Sequence, residues 1–180
     1  MKTFRHCRVS AGFTLLEVLI AIVVVAFGLL GLAGLQAFAL KNNQSASLRV
    51  AAVGLTTDII DRMKANYEGA VTGEYNKPST ANYNTSVAGC TATGGCSFSD
   101  LAKNDLNQWN IRVAQVLPGG VGIVCRDSTP NDTGPVPTPA APRCDDAGTT
   151  PYVVKIWWVD DRTQANPAGN LKYVYTAFNL

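Results

Sequence analysis

Apolar residues crowd one stretch near the N-terminus and then thin into a periodic pattern. From Phe13 to Leu40 the only ionisable residue is Glu17, and Val18 to Leu35 contains only Val, Leu, Ile, Ala, Phe and Gly. A helix crossing the hydrocarbon core of a bilayer needs about 20 such residues, so the run is long enough. Beyond it, Leu48, Ala52, Leu55, Ile59 and Met63 recur at intervals of three or four, the spacing of one buried helix face. Arg49, Thr56, Asp61, Arg62 and Lys64 occupy much of the remaining surface, and no proline comes before Pro78. The pattern predicts one helix from about Thr14 to about Ala65, roughly 52 residues and about 78 Å long. Lys64 falls in its last turn, and Gly69 is the expected stop just beyond. The first half would lie in lipid or in the core of an assembly, and the second would pack on a globular domain.

The rest of the chain reads as a smaller mixed domain. Residues 66–98 are dominated by Gly, Asn, Thr and Ser and read as loop. Asp100 is the expected N-cap of a second helix that reaches about Leu117 and ends at Pro118-Gly119-Gly120. Leu101, Leu106, Trp109, Val113 and Val116 give that helix an apolar side, with Trp109 in the core. Val121 to Cys125, Tyr152 to Val159 and Leu171 to Thr176 read as strands, the second being the most β-branched and aromatic. Between the first two lies Pro130 to Pro142, with five prolines and no apolar periodicity, which reads as a loop. Adjacent strand residues face opposite sides, so one of Trp157 and Trp158 is expected in the core and the other partly exposed or at an interface. A long N-terminal helix, a loop and an antiparallel sheet make an α+β fold.

Composition adds exclusions. The 180 residues suit one compact domain plus an anchoring element, and 47% are hydrophobic while only 16% are charged. Of 15 basic residues three, Lys2, Arg5 and Arg8, lie in the first 12 positions without an acid; removing them leaves 12 basic against 13 acidic residues. No basic stripe remains for nucleic acid. The basic flank predicts that the N-terminal end of the apolar segment stays cytoplasmic. The only histidine, His6, is part of that flank, so the chain beyond it offers no Ser/His or Cys/His pair, and no phosphate-cradling loop is present. No cofactor is expected. Four cysteines follow Cys7, namely Cys90, Cys96, Cys125 and Cys144. An even number in an exported domain predicts disulfides. Of the three connectivities, Cys90–Cys96 with Cys125–Cys144 is the local one that crosses no element. Zinc is disfavoured by the spacing, and calcium at Asp145-Asp146 or Asp160-Asp161 is less expected than solvated surface. Asn43-Gln44-Ser45 and Asn84-Thr85-Ser86 match the N-glycosylation pattern, a short match of low specificity.

Glu17 is the residue that an ordinary secretory signal leaves unexplained. Such a signal would place a small-residue cleavage site after its apolar run, and Ala33-Gly34-Leu35-Gln36 could serve. An acid near the start of an apolar helix, however, costs on the order of 2.5–3.5 kcal/mol at mid-membrane and less toward the interface, and usually has a partner. The stretch Gly12-Phe13-Thr14-Leu15-Leu16-Glu17-Val18-Leu19-Ile20-Ala21, after a short basic leader, resembles the class III signal of type IV pilins and pseudopilins. The resemblance implies that a prepilin peptidase cuts between Gly12 and Phe13 and methylates the new amino terminus on Phe13. It also implies that Glu17 pairs with the N-terminal amine of a neighbouring subunit and sets axial register. Gly12 has no side chain to obstruct a protease. Gly28, Gly31 and Gly34 leave two readings open: a close-packing stripe, or a segment able to unwind on assembly.

Ala26 to Gln36, Asp58 to Asn66 and Leu117 to Gly120 together resemble the PilV branch of minor pilins, the type IV pilus modification proteins. This implies a leader over 1–12, a transmembrane or filament-core helix over 13–40, its continuation over 41–66 and a globular extracytoplasmic domain over 67–180. It implies a non-enzymatic subunit that helps prime type IV pili and so supports adhesion and twitching motility. The implied partners are the prepilin peptidase, other minor pilins, the major pilin, a tip adhesin and the inner membrane, with the cell surface as final location. A pseudopilin of a type II secretion system shares the N-terminal argument. A membrane-anchored sugar- or DNA-binding module is the alternative from another class.

Overall fold

The computed structural model describes residues 12–79, 83, 86–91, 94–130, 134–146, 151–160 and 171–180. Lys2, Arg5, His6, Cys7, Arg8, Asn84, Thr85 and Asp161 therefore lie outside the described residues. Helix α1 runs over Leu15–Ala65. The chain divides into two compact units, one ending at Gln44 and the other comprising Ser45–Leu180.

Within the second unit, α1 buries Ala52, Leu55, Thr56, Ile59, Ile60 and Met63. Thr56, expected on the outer face, is inside because its hydroxyl donates to the Ala52 carbonyl at 3.0 Å, one turn earlier. Two further helices follow, α2 over Tyr67–Val71 and α3 over Phe98–Val116. Gly69 does not stop the helical run but sits inside α2. A Cβ there would lie 2.6 Å from Asn66 Nδ2 and 3.0 Å from the Phe98 carbonyl oxygen, so the position needs close approach. Helix α3 starts earlier than Asp100: Ser97 is its N-cap, its Oγ accepting from the Asp100 N–H at 3.1 Å. Asp100 is the partner within the first turn and pairs with Lys103 at 3.0 Å. Ala102, Leu106, Trp109 and Val113 point into the core, whereas Val116 is exposed. The chain leaves α3 through Gly119, whose φ of 61° favours glycine.

Residues 66–98, expected as loop, also contain a 3-10 turn over Ala88–Thr91 and two buried core tyrosines, Tyr75 and Tyr83. Strands β1 (Val121–Arg126), β2 (Tyr152–Val159) and β3 (Leu171–Phe178) form an antiparallel sheet in that order. The register places Ile123 opposite Lys155 and Lys155 opposite Tyr175; one step along, Gly122 faces Ile156 and Ile156 faces Val174. Gly122 meets the Trp109 ring, so its side of the sheet packs on α3.

The opposite side is covered as well. Cys144 is bonded to Cys125. Lys155 Nζ donates to the Pro142 and Arg143 carbonyls at 2.9 and 3.1 Å, and Trp157 Nε1 donates to the Pro137 carbonyl at 2.7 Å. The proline-rich segment is thus laid across the outer face. Double coverage explains why β2 is buried from Tyr152 to Trp158 without alternation. It also corrects the expectation for the paired tryptophans: Trp157 and Trp158 are both buried.

Candidate functional site

The segment that carries the chemistry begins at Gly12. Thr14 precedes the first residue of α1 and caps it. Its carbonyl accepts from the N–H of Glu17 at 3.1 Å and of Val18 at 3.3 Å, and its Oγ1 accepts from the Glu17 N–H at 3.3 Å. The cap places Glu17 in the first turn, where a carboxylate also complements the positive end of the helix dipole.

From Phe13 to Leu40 every side chain of this unit is exposed. Phe13 is 83% and Leu15 is 85% exposed, values that no water-soluble surface accommodates over so long a run. The mean hydropathy of the most apolar 18-residue window is 2.9, making α1 long and apolar enough to cross a membrane by length and composition. Glu17 shares an apolar side of the helix with Phe13, Val18, Ala21, Ile22 and Val25. Among the described residues its carboxylate makes no hydrogen bond or ion pair within the chain. At Gly28, Gly31 and Gly34 an added Cβ would meet nothing within 4 Å. The chain's own packing therefore does not require them, and α1 is continuous through all three.

In the second unit several of the described polar side chains are engaged with one another. Arg62 spans α1 and α3, reaching Asp58 and Asp105, each at 3.3 Å, and Gln108 at 3.2 Å. The Tyr75 hydroxyl donates to Asp105 Oδ2 at 2.6 Å; burial first, and then this bond, push its pKa well above the usual tyrosine value. Tyr83 donates to the Lys77 carbonyl at 2.7 Å and accepts from the Val124 N–H at 2.8 Å, and burial likewise raises its pKa. The exposed Asp100 carboxyl is lowered, chiefly by its bond to Lys103. A buried ion pair, Lys155 Nζ to Asp127 Oδ2 at 2.5 Å, lies beneath the proline-rich segment.

Sequence reading missed this pair and both core tyrosines. The one available sign was a lysine in the middle of the apolar run Tyr152 to Val159. Disulfides join Cys90 to Cys96 and Cys125 to Cys144, with Cα atoms 4.8 and 6.2 Å apart. Asp145 is held by the Ser128 N–H and hydroxyl, Asp146 by Asn76, and Asp160 by the Ser45 hydroxyl at 2.7 Å. Among the described residues no group of three or more His, Cys, Asp or Glu side chains is placed to hold a metal ion. Trp109, Trp157 and Trp158 are all buried, which withdraws them from any sugar-stacking surface.

No curated protein and no solved structure matches the chain. Two family descriptions do. Residues 7–33 match the prokaryotic N-terminal methylation motif, and residues 34–107 match the family described as type IV pilin Tt1218. The first contains Gly12, Phe13 and Glu17 and implies processing by a prepilin peptidase. The second contains the end of the apolar run and continues through α2 into α3. A capped apolar helix, exposed up to Leu40 with one acid in its first turn, together with a small α+β domain agrees with both: over residues 34–107 the chain is similar to type IV pilins, and over residues 7–33 it carries the N-terminal methylation motif.

Proposed function

We propose that the protein is a minor pilin of the PilV type, a non-catalytic subunit that helps to prime and assemble type IV pili. In this reading the leader 1–12 is removed between Gly12 and Phe13, Phe13 is methylated, and 13–40 holds the subunit in the inner membrane. The same segment then enters the filament core, with 41–66 continuing the helix and 67–180 forming the extracytoplasmic domain. The observation that carries it is Glu17, an acid on a fully exposed apolar helix with no partner among the described residues of its own chain. An N-terminal amine on a neighbouring subunit would offset the cost of burying that charge. Partners in this scheme are the other minor pilins, the major pilin and a tip adhesin. The stretches Asp58 to Asn66 and Leu117 to Gly120 support the pilus over a type II secretion pseudopilin.

The test is the intact mass and N-terminal sequence of the protein from its native membranes. The expected chain begins at Phe13 with one added methyl group. A start after Ala33 or nearby would make it a soluble exported domain and end the filament reading; an uncut chain would end the processing step. Copurification with pilus rather than secretion-channel components separates the two filament classes.

A further inference from the structure

We propose that the Cys125–Cys144 disulfide is a redox-sensitive latch that holds residues 134–144 as a strap over the outer face of the sheet, and that its reduction opens the strap and exposes Lys155. Three observations carry this. The first is what the strap lacks: none of residues 134–146 is fully buried, and Val136 is 70% exposed. Such a segment has little apolar area to hold it down. The second is what it covers. Lys155 and Asp127 are each only 1% exposed, and two of the three acceptors around the Lys155 ammonium, the Pro142 and Arg143 carbonyls, belong to the strap beside Cys144. Losing those acceptors leaves a buried cation short of partners, for which water is the better environment. The third is backbone conformation. Arg143 and Asp146, on either side of Cys144, have φ of 56° and 52°, a left-handed region that non-glycine residues seldom occupy. Closing the strap therefore keeps Arg143 in an unfavourable conformation, and opening it releases that residue.

The latch opens by thiol–disulfide exchange. Cys125 is buried and Cys144 only partly so, which makes Cys144 the approachable sulfur. A thiolate of a dithiol reductant attacks Cys144 Sγ, the Cys144–Cys125 bond breaks, and Cys125 leaves as a thiolate that takes up a proton. The second thiol of the reductant then displaces Cys144 Sγ, which is protonated in turn, and the reductant departs as its own disulfide. The closed ring has a sequence separation of 19. Removing that constraint should raise the population of the open strap about 100-fold in the chain-entropy description.

Amine footprinting of the full chain in detergent tests the latch, with an N-hydroxysuccinimidyl acetate label, dithiothreitol as the dithiol, and mass spectrometry as the readout. Lys64 and Lys172, both exposed, serve as internal standards. In the oxidised protein Lys155 should be protected. After reduction, and in a Cys125→Ser/Cys144→Ser variant without reductant, Lys155 should label about 100-fold faster while the β2 amides keep their hydrogen-exchange protection. A Cys90→Ser/Cys96→Ser variant should behave as the native protein does. Lys155 remaining protected with both thiols free would overturn the proposal, because the polar anchors alone would then hold the strap. Exposure of Lys155 only together with loss of β2 protection would overturn it too, because the disulfide would then secure the core.

Discussion

Lys155 and Gly122 occupy opposite faces of one sheet, and each is the only side-chain type its site accepts readily. Lys155 meets Asp127 and two carbonyls, which matches the three donors of an ammonium group. Gly122 lies against the Trp109 ring, where an added Cβ would fall 2.4 Å from Cη2 and 2.7 Å from Cζ3. The ring cannot step aside freely, because its Nε1 donates to the Leu55 carbonyl at 2.8 Å and the residue is fully buried. Gly122→Ala should therefore destabilise the second unit by about 1–3 kcal/mol through overpacking, measured by chemical denaturation. An unchanged midpoint would mean that α3 and β1 are less tightly fitted than they are here. Trp109 was legible in the sequence as a core residue because it shares a face with Leu106 and Val113. Gly122 was not, since a glycine in a strand gives no sign of what lies above it.

Helix α1 is one element with two kinds of surface. Up to Leu40 its residues are exposed and apolar; from Ala52 to Met63 one face is buried in the domain. Glu17 belongs to the first kind, and its replacement separates anchoring from assembly. Glu17→Ala should insert into the membrane at least as well, since removing the acid relieves up to about 2.5–3.5 kcal/mol of insertion cost. Its share of the sheared pilus fraction should fall relative to the membrane fraction on immunoblots. Equal incorporation would remove the proposed pairing with a neighbouring amine. The extent of α1 was readable from periodicity and from the absence of proline. The start of α3 was not: Ser97 and Asp100 are both good capping residues, and only the bond from the Asp100 N–H to Ser97 Oγ decides between them. The fate of Trp158 was hidden for another reason, because strand alternation tells which face a residue takes but not whether both faces are covered.

At the scale of the whole second unit, the buried hydroxyls of Tyr75 and Tyr83 tie the long connection before α3 to α3 and β1. Their pKa values are raised above the ordinary 10.0, so the folded state holds these protons more tightly than the unfolded chain does. Their contribution is then fully present below pH 10 and declines as pH rises through and beyond that value. Stability measured by denaturant unfolding should accordingly begin to fall near pH 10 and keep falling as pH rises above it, and Tyr83→Phe should flatten the decline. A profile equally steep in that variant would point to other groups. Fold class, the order of elements and the apolar anchor were readable in the sequence because each rests on a local pattern. The covering of the outer sheet face was not, because it depends on backbone oxygens. Pro135, Pro137, Pro142 and Arg143 are each held through a carbonyl, and proline brings no N–H that would need a partner. Apart from Arg143, whose guanidinium donates to the Pro135 carbonyl, the exposed side chains at Val136 and Ala140 carry little of its architecture. Positions such as Val136 and Ala140 can change their chemistry while the backbone path stays the same, which gives the molecule a stretch of surface free to diverge, and a natural place to insert an epitope tag.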